Sequence, residues 1–117
     1  MIKIIQNAAG KSSDQLEDWG AVGKPIGDVV SKLRGVTATD TKGGEPDVGI
    51  WECTPGKWHR QITKAEFAHF LSGRCTFTAE SGQHIEIKAG DSLYFPANSM
   101  GVWEIQETVR KVYIIID

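Results

Sequence analysis

Residues 55–73 read PGKWHRQITKAEFAHFLSG, and the fold of the chain turns on how this stretch is read. Its second half, EFAHFLS (66–72), follows the period of two that a strand imposes. Phe67 and Leu71 share one face, Ala68 and Phe70 the other. Near the C-terminus, VRKVYIII (109–116) sets Val112, Ile114 and Ile116 against Val109, Tyr113 and Ile115. A strand apolar on both faces has to be covered on both. A small barrel covers only its inside, so the outer face calls for another sheet, the N-terminal segment or a second subunit. A homodimer through a sheet face is the simplest supplier.

Working outward, further short runs appear: VVSKL (29–33), GVTATD (35–40), VGIWECT (48–54), RCTFTA (74–79), HIEIK (84–88), SLYFPA (92–97) and GVWEIQ (101–106). Turn-rich TKGGEPD, ESGQ and KAGD punctuate them. No period repeats and no segment is of low complexity. Many short strands at near-regular spacing predict an all-β sandwich or closed barrel. The start of the chain differs. In SSDQLEDWG (12–20), Ser12 or Ser13 offers an N-cap, acidic residues fill the first turn and Gly20 offers a stop. A short helical turn there would pin Leu16 and Trp19 onto a larger body. Residues 1–34 therefore read as an extension packed on a barrel of residues 35–117.

At 117 residues the chain has the length for one core. A net charge of −2 leaves no basic footprint for nucleic acid. No apolar run approaches the ~20 residues of a membrane helix. The opening MIKIIQNAAGKSS has too short an apolar core for a secretory signal, so a cytoplasmic protein is expected. Cys53 and Cys75 form no CxxC motif and read as free thiols packed as small hydrophobes.

The spacing of PGKWHRQITKAEFAHFLSG followed by GDSLYFPANSMGVWE (90–104) resembles the two sequence motifs of the cupin superfamily. The first motif runs His-x-His, three or four residues, Glu, six residues, Gly. Here His59 precedes Glu66 at the matching distance, and six residues separate Glu66 from Gly73. The second runs Gly, five residues, Pro-x-Gly, two residues, His. Here Gly90 and Pro96 keep their places, Asn98 stands for the glycine and Gly101 for the histidine. Asparagine tolerates the left-handed conformation, so the turn after Pro96 should survive. The wider pattern, from GIWECTPGKW to GVWEIQETVRKVYII, looks closest to the small type-3 cupins related to ureidoglycine aminohydrolase. The resemblance covers residues 35–117 and implies a jelly-roll barrel of antiparallel strands.

Metal-binding cupins draw two histidines and the glutamate from the first motif and a histidine from the second. Such a set suits iron, manganese, nickel or zinc. Carried over, the slots hold His59, Gln61, Glu66 and Gly101. Moving the register by one offers only Arg60 and Ile62. What remains falls short of a three- or four-ligand site. A weakly held divalent ion on His59, Gln61 and Glu66 is the most the resemblance implies, and no cofactor is expected. Trp103 lies two residues beyond Gly101 and shares its face, so an indole should stand beside the missing histidine.

Each candidate has a plainer reading beside it. Glu66 either faces inward, as its motif position implies, or pairs at the surface with Lys57, Arg60 or Lys64. Inward and without a metal it would need hydrogen-bond partners or a proton, and could then act as a general acid or base. His59 is either a second catalytic group or a solvated loop residue, and Gln61 a hydrogen-bonding pocket residue. His69, opposite Glu66 by parity, reads as interface packing, and His84 as solvent-facing. Trp51, Trp58 and Trp103 are core, or the indole walls of a small-molecule pocket. Tyr94 and Lys111 could supply polar tips, with their direction open. Three functions are compatible with this pattern. One is a cupin holding a small polar metabolite of carbonyl, amide or ureide type. Another is a metal-dependent aminohydrolase or isomerase of the ureidoglycine aminohydrolase kind. The last is a non-enzymatic structural or regulatory dimer.

Overall fold

The structure is a computed structural model that describes residues 1–116. A 3-10 turn at Ser13–Gln15 is followed by nine strands. They are β1 (Glu17–Ala21), β2 (Pro25–Ile26), β3 (Lys32–Thr37), β4 (Asp47–Cys53), β5 (Gly56–Arg60), β6 (Ala65–Ala79), β7 (His84–Lys88), β8 (Ser92–Phe95) and β9 (Gly101–Ile116). All ladders are antiparallel. The two longest strands, β6 and β9, pair along their whole length within a single nine-stranded sheet. The first half of β6 and the second half of β9 lie between β8 and the β4–β3–β1 ladder. Their other halves lie between β7 and the β5–β2 ladder. This one antiparallel sheet, curled about its two long, bent strands, makes the predicted all-β jelly-roll barrel.

The bend explains a difference from the sequence reading. EFAHFLS and RCTFTA read as two strands, as did GVWEIQ and VRKVYIII; each pair is one strand carried through a bulge. The β6–β9 register shifts repeatedly between Phe70 and Cys75. Gly73 sits there at φ +86°, and a Cβ on it would lie 2.1 Å from the Thr108 carbonyl oxygen. Only glycine lets the two backbones approach so closely. The motif glycine thus has a backbone role.

The short helical turn expected in residues 12–20 forms at Ser13–Gln15, with Ser12 as its N-cap. The Ser12 N–H donates to Gln15 Oε1 at 2.9 Å, but the chain straightens at Leu16 and continues as β1. Gly20, at φ +81°, lies at a register shift within β1 and is no helix stop. The capping signal is met, and packing ends the turn at Leu16 before Gly20 is reached. Leu16 is buried, and the Trp19 ring fills the space over Gly35 that a side chain would otherwise take. Two strands from the first 34 residues, β1 and β2, are hydrogen-bonded into the sheets through β3 and β5.

A buried ion pair holds the segment before them. On the outer face of the sheet, Arg110 Nη2 donates to Glu52 Oε1 at 2.9 Å. Arg110 Nη1 donates to the carbonyls of Ala8 and Lys11, and the Ser13 hydroxyl donates to Glu52 Oε1 at 3.0 Å.

Inside the barrel the core is aromatic. Trp51, Trp58, Phe70, Phe77 and Phe95 ring Trp103, with Phe77 meeting it edge-on at 4.9 Å between centroids. Among the described residues no helix is long and apolar enough to cross a membrane.

Candidate functional site

Strand alternation decides which polar groups reach the lumen. On β5, Trp58 and Arg60 are buried while Lys57 and His59 are exposed. On β6, Glu66, Ala68 and Phe70 turn inward. On β9, Trp103, Val109, Lys111 and Tyr113 do so. Lys111 stands opposite Trp51 on one side and Phe70 on the other. Three charged side chains meet here, each nearly sealed from solvent: Arg60 and Lys111 are 2% exposed and Glu66 1%.

Glu66 is held from both sides. Arg60 Nη2 donates to its Oε1 at 2.9 Å and Lys111 Nζ to its Oε2 at 2.8 Å. Arg60 Nη1 also donates to the carbonyls of Ile62 (3.0 Å) and Ser99 (2.9 Å), and its guanidinium stacks 4.4 Å from the Phe95 ring centroid. Lys111 Nζ lies 4.2 Å from the Trp51 ring centroid and 5.3 Å from that of Trp103, within cation–π range. Arg60 Nε has no hydrogen-bond partner among the described residues. Burial alone would raise the Glu66 carboxyl, but Lys111 and Arg60 outweigh it and hold it below the usual carboxylate range. Burial pulls the Lys111 ammonium below the usual lysine range, with the Glu66 carboxylate working against it.

Two cavities border this cluster. A smaller one of about 190 Å³ includes Trp51, Trp58, Arg60, Trp103 and Lys111 in its wall. One of about 350 Å³ lies toward Trp19, Asp47 and Tyr113. Trp51, Ile62, Glu66 and Lys111 line both.

The residues present do not fit the metal of metal-binding cupins. Both Glu66 oxygens are taken by cations, and Arg and Lys offer only donors. His59 points out of the barrel. The slot of the missing histidine is closed as well: a Cβ at Gly101 would lie 2.7 Å from Phe77 Cζ and 2.4 Å from the Thr78 carbonyl oxygen. Among the described residues no three His, Cys, Asp or Glu side chains converge as an ion-binding group. Two internal cations neutralise the carboxylate that would otherwise face an ion.

Of the residues singled out in the sequence, Glu66, Lys111, Trp51 and Trp103 are brought together. Gln61, though exposed, borders the smaller cavity with them; His59 takes the solvent-facing one of its two readings, and Tyr94, whose direction the sequence left open, faces out. The slot at residue 59 falls on the outward phase of β5, since Trp58 has to pack across from Trp103. Arg60 takes the inward place, and Gln61 lies exposed with its amide oxygen against Gly23. Tyr94 is 61% exposed and pairs with Phe67, itself exposed, on the outer face of β8 and β6. His69, also on that face, contacts Ser92 Oγ at 2.7 Å, and His84 is exposed beside Thr78. Arg60 is the residue that the motif alignment passed over; its parity with Trp58 was the signal that could have found it. Asn98 holds φ +65°, as the turn requires. Cys53 and Cys75 are free and buried, and desolvation pushes their thiols up to about 11 and about 12. They stay protonated and inert at neutral pH.

A curled antiparallel sheet around an inward motif carboxylate defines a cupin. Within that class the chain belongs to the family of EutQ-like cupin domains, whose model matches residues 41–113. No curated protein matches it. Among solved structures, the EutQ protein of Clostridium difficile is similar at 12% identity and a TM-score of 0.64, over 73% of this chain and 68% of that one. A protein of unknown function from Pseudomonas syringae pv. tomato reaches a TM-score of 0.75 at 18% identity, over 86% of this chain and 44% of that one. A DUF861-family protein of Thermotoga maritima has 26% identity and a TM-score of 0.55, over 72% and 99%. These likenesses speak for the fold.

Proposed function

We propose that the protein is a small-molecule-binding cupin. Its lumen takes a small polar compound of carbonyl, amide or ureide type directly on protein groups, with no metal between. The observation that carries this reading is a carboxylate fixed between two cations on the wall of an indole-lined cavity. Such a wall offers donors (Lys111, Arg60) for a carbonyl oxygen and an acceptor (Glu66) for an amide N–H. Apolar walls with a few convergent polar groups are the usual make-up of a ligand site. Any turnover there would be acid–base work by Glu66 and Lys111. The motif resemblance to ureidoglycine aminohydrolase cupins puts ureides among the compounds to try.

The test is a panel of small 2-oxo acids, amides and ureides scored by thermal shift and calorimetry. A binder at about 100 times its Kd should raise Tm by about 10 °C, following ~2.7 kcal/mol of linkage. His59→Ala should keep that shift, and Lys111→Met should lose it while remaining folded. Stoichiometric manganese or nickel that survives dialysis of the wild-type protein would refute the reading. So would a full ligand response in Lys111→Met.

A further inference from the structure

Of the four residues that line both cavities, one carries an amine. We propose that Lys111 captures a small aldehyde or 2-oxo acid as a reversible imine inside the barrel, with Glu66 passing the protons. The inference rests on reading the lumen as a ligand site and names the chemistry done there.

Position and surroundings carry it. The Lys111 amine lies among the rings of Trp51, Trp103 and Phe70, the last 5.8 Å away, and is sealed from bulk water. An amine in an apolar pocket beside a second cation is the arrangement that activates lysine toward carbonyl carbon. Arg60, bound to the other oxygen of the same carboxylate, is that second cation. Glu66 Oε2 is 2.8 Å from Nζ, near enough to receive the proton that the ammonium must shed. The buried Nε of Arg60 is a donor still without an acceptor, and Arg60 lines the smaller cavity. A buried donor left over in this way calls for a partner, and the carboxylate of a 2-oxo acid is one.

The step balances without another reagent. The nitrogen lone pair forms a bond to the carbonyl carbon as the C=O π pair moves onto oxygen, and the nitrogen then gives its second proton to that oxygen, leaving a carbinolamine. Glu66 returns the proton it received to the hydroxyl, which departs as water while the nitrogen lone pair forms C=N, so a protonated imine replaces C=O. Hydrolysis runs the same path backward. The exposed Lys24 and Lys57 lack both the apolar shell and a buried carboxylate.

Trapping tests this directly. The full chain is incubated with glyoxylate or pyruvate, reduced with cyanoborohydride, and examined by intact mass and peptide mapping. One adduct per chain is expected, on Lys111, forming at least about tenfold faster than on any exposed lysine. Lys111→Arg, which keeps the charge and the ion pair, should lose it; circular dichroism reports that this variant is folded. Glu66→Gln should slow it. Adducts spread over surface lysines, or undiminished in Lys111→Arg, would overturn the proposal. A parallel thermal-shift series with pyruvate and its 2-hydroxy analogue separates the two claims. Equal binding of both without an adduct overturns the imine and leaves the binding site standing. No binding and no adduct overturns both.

Discussion

Two buried ion clusters sit back to back in this barrel, and they differ in what surrounds them. Trp51 and Glu52 on β4 face Lys111 and Arg110 on β9, so neighbouring residues feed opposite faces of one sheet. The outer cluster, Glu52 with Arg110, is closed over by the chain itself: carbonyls of Ala8 and Lys11 and the hydroxyl of Ser13 take up the remaining valence. The inner cluster adjoins empty space and keeps a spare donor at Arg60 Nε. Burial and charge are common to both. The difference is unfilled hydrogen-bonding capacity next to a cavity, which among the described residues the inner cluster has and the outer one lacks, and on which the proposed binding site rests. The outer one fastens the N-terminal segment.

That contrast can be broken by mutation. Glu66→Ala leaves two buried cations without their carboxylate and should cost about 3–5 kcal/mol in urea unfolding, with ligand response abolished. Glu52→Ala should cost less, about 1–3 kcal/mol, because it strips one cation where Glu66→Ala strips two, and that one, Arg110, keeps its two backbone carbonyls. Its signature should be faster proteolysis before residue 17 with lumen binding intact. Equal costs and lost binding in both variants would erase the distinction.

Acid sharpens it by a smaller amount. Glu66 is held below its ordinary value of 4.5, so the unfolded chain takes up this proton before the folded one does. Its contribution is therefore complete above that value and drains away as pH falls through the folded one. Urea midpoints measured from about pH 6 down to about pH 3 should decline, and Glu66→Gln should flatten part of the decline. An unchanged slope in that variant would assign the acid sensitivity elsewhere.

The all-β barrel was legible in the many short strands set off by turn residues, and the inward Glu66 in its motif position beside Gly73, since EFAHFLS is apolar on both faces and alternation alone does not decide it. Trp103 was legible through its parity with Gly101. Lys111 was not, since VRKVYIII is apolar on both faces and gives parity nothing to distinguish. His59 kept two readings because a motif fixes spacing along the chain, whereas the phase of a five-residue strand is set by what its tryptophan packs against. β2, of two residues, is too short to carry a periodic signal. The extent of β1 depended on Trp19 finding Gly35, a contact that no local pattern reveals.

The pairing of β4 with β9 carries one further consequence. Glu52 and Arg110 lie 58 positions apart, so this ladder closes late and across a long loop. A slip of one residue would turn the acid of β4 into the aromatic core and expel the indole beside it. Neighbouring residues of unlike character thus act as a proofreading mark during folding: a single alignment satisfies both faces, and the nearest misfolded competitor is penalised on each.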